Sequence, residues 1–118
     1  MDYFQDIGEY NFDLIQGVDE SHFLSDWRVN GEPFVLQGAE EIRVDFRRDP
    51  SYSGEPDLSL TLANGGIRAE SNTMYMNFGK NTLKLVPGLY HYDVLVVKAG
   101  KRYTYVRGQM VLTGVITR

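Results

Sequence analysis

The sequence predicts an all-β domain in which two antiparallel sheets pack face to face. Three observations predict it. Short β-prone runs recur at intervals of about ten residues, separated by turn chemistry. Within the runs, apolar and polar residues alternate with a period of two, the period of a strand with one buried face. No stretch keeps apolar residues at i, i+3, i+4 and i+7 for three turns, so helices contribute little. About eight such runs in one chain fit a two-sheet sandwich, with a closed barrel as second choice.

The runs follow in order. Over residues 9–15, Tyr10, Phe12 and Leu14 alternate with Glu9, Asn11 and Asp13. Residues 22–29 form a second run around Trp27. Asn30-Gly31 follows, the strongest hairpin signal present, because a type I′ turn needs two positive φ angles. Phe34, Val35 and Leu36 come next, before Gly38. Ile42, Val44 and Phe46 point inward and Arg43, Asp45 and Arg47 outward; residues 49–56 are a Pro/Gly loop. Leu58, Leu60 and Leu62 alternate with Ser59 and Thr61, and Asn64-Gly65-Gly66 turns the chain. Residues 67–70 and 74–78 give two short strands, the second sending Met74, Met76 and Phe78 to one side. Residues 81–86 read as one helical turn or an irregular crossover, ended by Pro87-Gly88.

The longest strand runs over 89–97, turns at Ala99-Gly100 and returns. With Ala99 and Gly100 as the loop, Val96 faces Tyr103 and Val94 faces Tyr105. Gly108 is expected to permit a bulge there, which would keep Met110 and Leu112 facing the core.

Composition removes several functions. The chain has 118 residues, enough for one domain spanning 1–118 and not two. With no cysteine there is no disulfide framework, thiolate zinc site, thiol nucleophile or iron–sulfur cluster. Twelve Lys+Arg against 16 Asp+Glu give a net charge of −4, which disfavours tracking a phosphate backbone, so no nucleic-acid partner is expected. No apolar run approaches the ~20 residues of a membrane helix. The first residues carry neither a basic region nor an apolar segment, so no secretory signal is expected and no membrane partner.

Gly88 and Tyr90, at the start of the long strand, resemble the tyrosine corner of immunoglobulin-like sandwiches. There a phenol hydroxyl bonds to upstream backbone and pins a crossover. Gly88 is expected to allow the close approach, and Tyr92 to pack one step along on the same face. The wider pattern is similar to a family of small tailed-phage structural proteins, related to the immunoglobulin-like N-terminal domain of upper-baseplate proteins. The likeness runs through the leading acidic-aromatic strand, Asn30-Gly31-Glu32-Pro33, and the arginine-bearing strand over 42–47. It continues through Gly65-Gly66-Ile67, residues 85–93, Gly108, and the Val115-Ile-Thr-Arg118 tail. The resemblance implies an immunoglobulin-like sandwich that is a virion component: a baseplate, neck or capsid-decorating subunit made in the host bacterial cytoplasm. Its implied partners are other virion proteins in symmetric multi-copy assembly, with homo-oligomerisation a further expectation, and it implies no catalytic residues. The short tail after the last strand suits a free-standing part better than a fibre anchor.

The remaining candidates are weak as chemistry. His22 and His91 are too few for a three-ligand metal site without carboxylate help. Asp49, Glu55 and Asp57 lack the ligand spacing of a calcium loop. Ser21, Ser25, His22 and Asp26 are adjacent in sequence, whereas a catalytic triad is defined by geometry. The expectation is therefore a non-enzyme with no cofactor and no metal. Residues 1–8 are read as an extended docking arm, and Tyr3, Phe4, Asp6, Arg43 and Arg47 as the candidate partner interface. The other function carried forward is a carbohydrate-binding or adhesion module, with Tyr3, Tyr52, Tyr75 and His91 as its outward aromatic candidates.

Overall fold

The computed structural model describes residues 8–17, 21–25, 27–29, 32–49, 51, 54–79 and 81–114. The expectations placed on residues 1–7 (Tyr3, Phe4 and Asp6 among them), on Asn30 and Gly31, on Tyr52 and on the 115–118 tail lie outside the described residues. What is described is all-β, with one 3-10 turn at Asn81–Lys84.

Among the described residues eleven strand segments occur: β1 (Gly8–Glu9), β2 (Phe12–Ile15), β3 (Ser21–Leu24), β4 (Arg28–Val29), β5 (Glu32–Pro33) and β6 (Glu41–Arg47). They continue as β7 (Leu58–Thr61), β8 (Ile67–Glu70), β9 (Thr73–Asn77), β10 (Gly88–Lys98) and β11 (Lys101–Thr113). The larger sheet runs β1-β11-β10-β6-β7, with β2 also paired to β11; a second sheet runs β3-β9-β8; β4 and β5 form a small separate ribbon.

Period-two patterning sets the faces. In β6, Ile42, Val44 and Phe46 are fully buried, and in β9 so are Met74 and Met76. Tyr90, Tyr92, Val94 and Val96 of β10 line the same interior. The inward residues of both sheets fall in one hydrophobic cluster. Rings cross the interior: Phe12 of β2 lies 4.5 Å from His22 of β3, and Phe78 lies 5.7 Å from Phe46.

Four expectations change. The larger sheet is mixed rather than antiparallel, because β1 and β2 run parallel to β11. The leading strand is broken at Tyr10-Asn11, where Asn11 Oδ1 takes the Gln109 N–H at 2.8 Å in place of a backbone carbonyl. The run over 22–29 is two strands, and residues 34–36 are irregular, although Leu36 is fully buried.

The fourth is the bulge. Val96 does face Tyr103, but Val94 faces Val106, and the register skips Tyr105. One extra residue there switches the inward set of β11 from Tyr103 to Val106, Met110 and Leu112. A bulge is therefore required, as the apolar pattern demands, but it falls at Tyr105 and not at Gly108. Gly108 sits in regular register opposite Tyr92 and does something else.

Candidate functional site

Gly108 is where the edge strand crosses onto β11. A Cβ at this position would lie 1.9 Å from the Tyr10 carbonyl oxygen. That oxygen passes over Gly108 to accept the Tyr92 hydroxyl at 2.5 Å. Burial raises the Tyr92 phenol well above its ordinary value, which keeps it a donor. The glycine is required for space and not for backbone conformation.

Tyr90 closes a second pin. Its hydroxyl donates to the Val86 carbonyl at 2.6 Å, four residues upstream, and the ring is 1% exposed. Gly88 differs from expectation: the nearest atom to a Cβ there is Arg48 Nη2 at 3.9 Å, so close approach is not its role. Its φ of +146° is, because residues with a side chain rarely adopt that angle. Nearby, buried Gln16 ties the 3-10 turn to the end of β2. Its Nε2 donates to Leu85 O at 2.8 Å, and Gly17 N donates to Thr82 Oγ1 at 2.7 Å.

These pins fix the edge strand and the 86–90 crossover beside the outer face of the larger sheet, which is the candidate site. Because residues 42, 44 and 46 point inward, β6 presents Arg43, Asp45 and Arg47. By the same alternation β10 presents His91 and Asp93, and β11 presents Arg107 and Gln109. The register sets them in two rows, Asp45–Asp93–Arg107 and Arg47–His91–Gln109. An open depression of about 510 Å³ lies over them.

Both candidate interface arginines reach this face, already held by local partners. Arg43 Nε donates to Asp45 Oδ1 at 2.9 Å, and Arg47 Nη1 donates to the Gly54 carbonyl. The Ser59 hydroxyl also donates to Asp45 Oδ1. Two carboxylates, Asp45 and Asp93, therefore stand opposite one another on adjacent strands. Burial first, and then the Asp45 charge, raise the Asp93 carboxyl above its ordinary value, with Arg47 opposing.

A carboxyl whose pKa is raised on folding binds its proton more tightly in the folded chain. Its stabilising contribution is complete at low pH and is lost as pH rises through the folded value. Asp93→Asn is therefore expected to be more stable than the parent at neutral pH. The gain should be about 0.5 kcal/mol, because the group is partly solvated and screened. The difference should disappear near ~pH 3, below the ordinary carboxylate value. Thermal unfolding of both proteins at the two pH values checks this; a variant less stable at neutral pH would show that the flanking arginines outweigh the repulsion.

The remaining sequence candidates stay apart. Asp49 Oδ1 accepts both the Ser51 hydroxyl and the Ser51 N–H, and Asp57 Oδ2 accepts the Arg48 N–H, so these carboxylates cap their own loop. The Ser51 bonds lower the Asp49 carboxyl. Among the described residues no group of three or more His, Asp or Glu side chains comes together to hold a metal ion. Tyr75 lies on the outer face of the smaller sheet, under the Arg68 guanidinium at 4.0 Å, whereas His91 lies on the outer face of the larger one. The two cannot share a sugar platform.

Sequence reading missed three exposed apolar features, two on this surface and one on the smaller sheet. Leu89 and Val111 are direct ladder partners, each 43% exposed, and Ile15 nearby is 46% exposed. Phe23, at 60%, stands out on the other sheet. A signal existed for the first: strict alternation along β10 places Leu89 opposite in sense to Tyr90. No protein-family model matches the chain, and comparison with curated proteins finds no match.

Proposed function

We propose that the chain is a non-enzymatic structural component of a tailed-phage particle, made in the bacterial cytoplasm and acting by protein–protein docking. The sheets support an immunoglobulin-like reading of the fold. The orders β3-β9-β8 and β11-β10-β6-β7 can be read as the B-E-D and G-F-C-C′ orders of such sandwiches, and the bond from the Tyr90 hydroxyl to upstream backbone is of the kind a tyrosine corner makes, which supports that reading. The phage assignment rests on the sequence resemblance.

One observation carries the docking role: the outer face of the larger sheet continues from a polar grid into exposed apolar residues. Leu89 and Val111 lie one ladder step beyond His91 and Gln109, with Ile15 on the neighbouring edge strand. An apolar centre bordered by hydrogen-bonding and charged groups is the composition of a protein interface. Many symmetric copies multiply weak contacts of this kind into stable attachment.

The test is to add the purified chain to particles lacking it and to obtain a cryo-electron map. Stoichiometric occupancy at symmetric positions, lost in Val111→Asp, is the expected result. Absence of the chain from purified virions overturns the proposal.

A further inference from the structure

Strand register fixes where each outward residue of the larger sheet stands, because alternate side chains share a face. Four rows cross β11, β10 and β6 in that order. The first is Val111–Leu89 and the second Gln109–His91–Arg47. The third is Arg107–Asp93–Asp45 and the fourth Thr104–Leu95–Arg43. Charge therefore alternates along β6, and on β10 an imidazole is followed by a carboxylate. The described residues leave the two central rows open to solvent, under a depression of about 510 Å³.

This order of rows complements itself. Consider two copies laid face to face about a two-fold axis that runs across the strands between the second and third rows. Each strand then lies over its own counterpart with the rows inverted. Arg47 stands over the partner's Asp45, His91 over the partner's Asp93, and Gln109 over the partner's Arg107, and every contact occurs twice. The outer rows exchange as well: Leu89, 43% exposed, meets the partner's Leu95, and Val111 meets the partner's Thr104. Further out, Arg102 falls opposite Thr113, and Arg43 and Glu41 fall opposite positions 49 and 51, an aspartate and a serine. Across the three central strands no charge meets its like. Asp13 of β2 stands at the margin, opposite positions outside the described residues.

Other axes fail on charge. One along β10 would set Asp93 on Asp93, one through the third row would add Asp45 on Asp45, and one through the second would set Arg47 on Arg47. Juxtaposed like charges penalise such arrangements. The groups at the axis also have bonding capacity to spare. Arg47 gives Nη1 to the Gly54 carbonyl and retains its other N–H groups. Asp93 has no hydrogen-bond donor among the described residues, and the partner's His91 supplies one. The depression leaves room for guanidinium groups to cross and for bridging water.

We propose that the occupant of the outer face of the larger sheet is a second copy of this chain, packed face to face about this axis; this rests on the reading of that face as a docking surface. The contact is isologous, so it closes at two copies. It gives the apolar end of the face a counterpart in Leu95, and the acidic pair of each copy an imidazole and a guanidinium from the other. It requires no particle to form.

The test is sedimentation of the full chain from low micromolar to millimolar concentration, beside Arg47→Glu, Asp45→Lys and an equimolar mixture of the two. The parent is expected to rise toward twice its 13.5 kDa. Each variant alone opposes like charges at both Arg47–Asp45 contacts and is expected to associate at least about ten-fold more weakly. In the mixture the two reversed charges meet each other once and the natural pair forms once, so association should return. Leu95→Asp alters neither ion pair and should weaken association likewise. Circular dichroism matching the parent verifies that each variant folds. A parent that stays monomeric at every concentration overturns the proposal; if it still binds particles, the docking reading stands with a foreign occupant. Variants that associate as the parent does, or a mixture no heavier than its components, also overturn it. A dimer with the expected behaviour that is absent from virions sinks the particle assignment alone.

Discussion

Gly108→Ala is expected to destabilise the fold by about 3 kcal/mol, close to the upper end for a single added methyl. The new Cβ would occupy space 1.9 Å from the Tyr10 carbonyl oxygen and 3.1 Å from Asn11 Oδ1. The first is backbone and cannot swing clear at low cost, and the second is a side-chain tip held by the Gln109 N–H. The edge segment must lift, and with it go the Tyr92 hydroxyl bond to Tyr10 and the Gln109 N–H bond to Asn11. Each is worth about 1 kcal/mol, more if a buried group is left unpaired.

Thermal unfolding should show a fall of about 10 °C or more. A cycle with Tyr92→Phe separates the causes. If the methyl acts by displacing the Tyr10 carbonyl, the two substitutions share one loss, and the double variant is less destabilised than the sum of the singles. Full additivity would mean that the carbonyl stays where it is. Because lifting β1 and β2 also moves Ile15, the proposed docking role predicts that the same variant fails to bind particles even where it remains folded.

Tyr90 gives the second large effect, in two stages. Tyr90→Ala removes a ring that is 1% exposed at the centre of the cluster and should cost about 3–5 kcal/mol, enough to unfold a marginal domain. Tyr90→Phe keeps the ring and loses only the bond to Val86 O, for about 1 kcal/mol. Denaturant unfolding of both variants distinguishes packing from pinning. A Phe variant as stable as the parent would show that the hydroxyl bond contributes nothing to holding the 86–90 crossover.

These residues differ in how readable they were. Tyr90 was legible because it combines two local signals, a preceding Pro87-Gly88 and an alternating strand that follows. The polar grid was legible for the same reason: once Ile42, Val44 and Phe46 are inward, Arg43, Asp45 and Arg47 have nowhere else to point. Which of those outward groups meet is a matter of register between strands distant in sequence. The opposition of Asp45 to Asp93 therefore could not be read from either strand alone. Asn11 was invisible as a strand-edge device, because an amide that replaces a ladder bond leaves no periodic trace. Phe23 was hidden inside a run that looked continuous, whereas β3 ends at Leu24 and β4 begins at Arg28.

The sequence by itself determined the all-β class of the fold and the inward face of nearly every strand, and it raised the expectation of a bulge in the last strand. Each of these follows from alternation along a single segment, where adjacent side chains must take opposite sides. The parallel course of β1 and β2, the position of that bulge at Tyr105, and the true task of Gly108 were decided only in three dimensions. They depend on where one strand crosses another roughly a hundred residues away, and a steric limit between two distant backbones is written in neither of them separately.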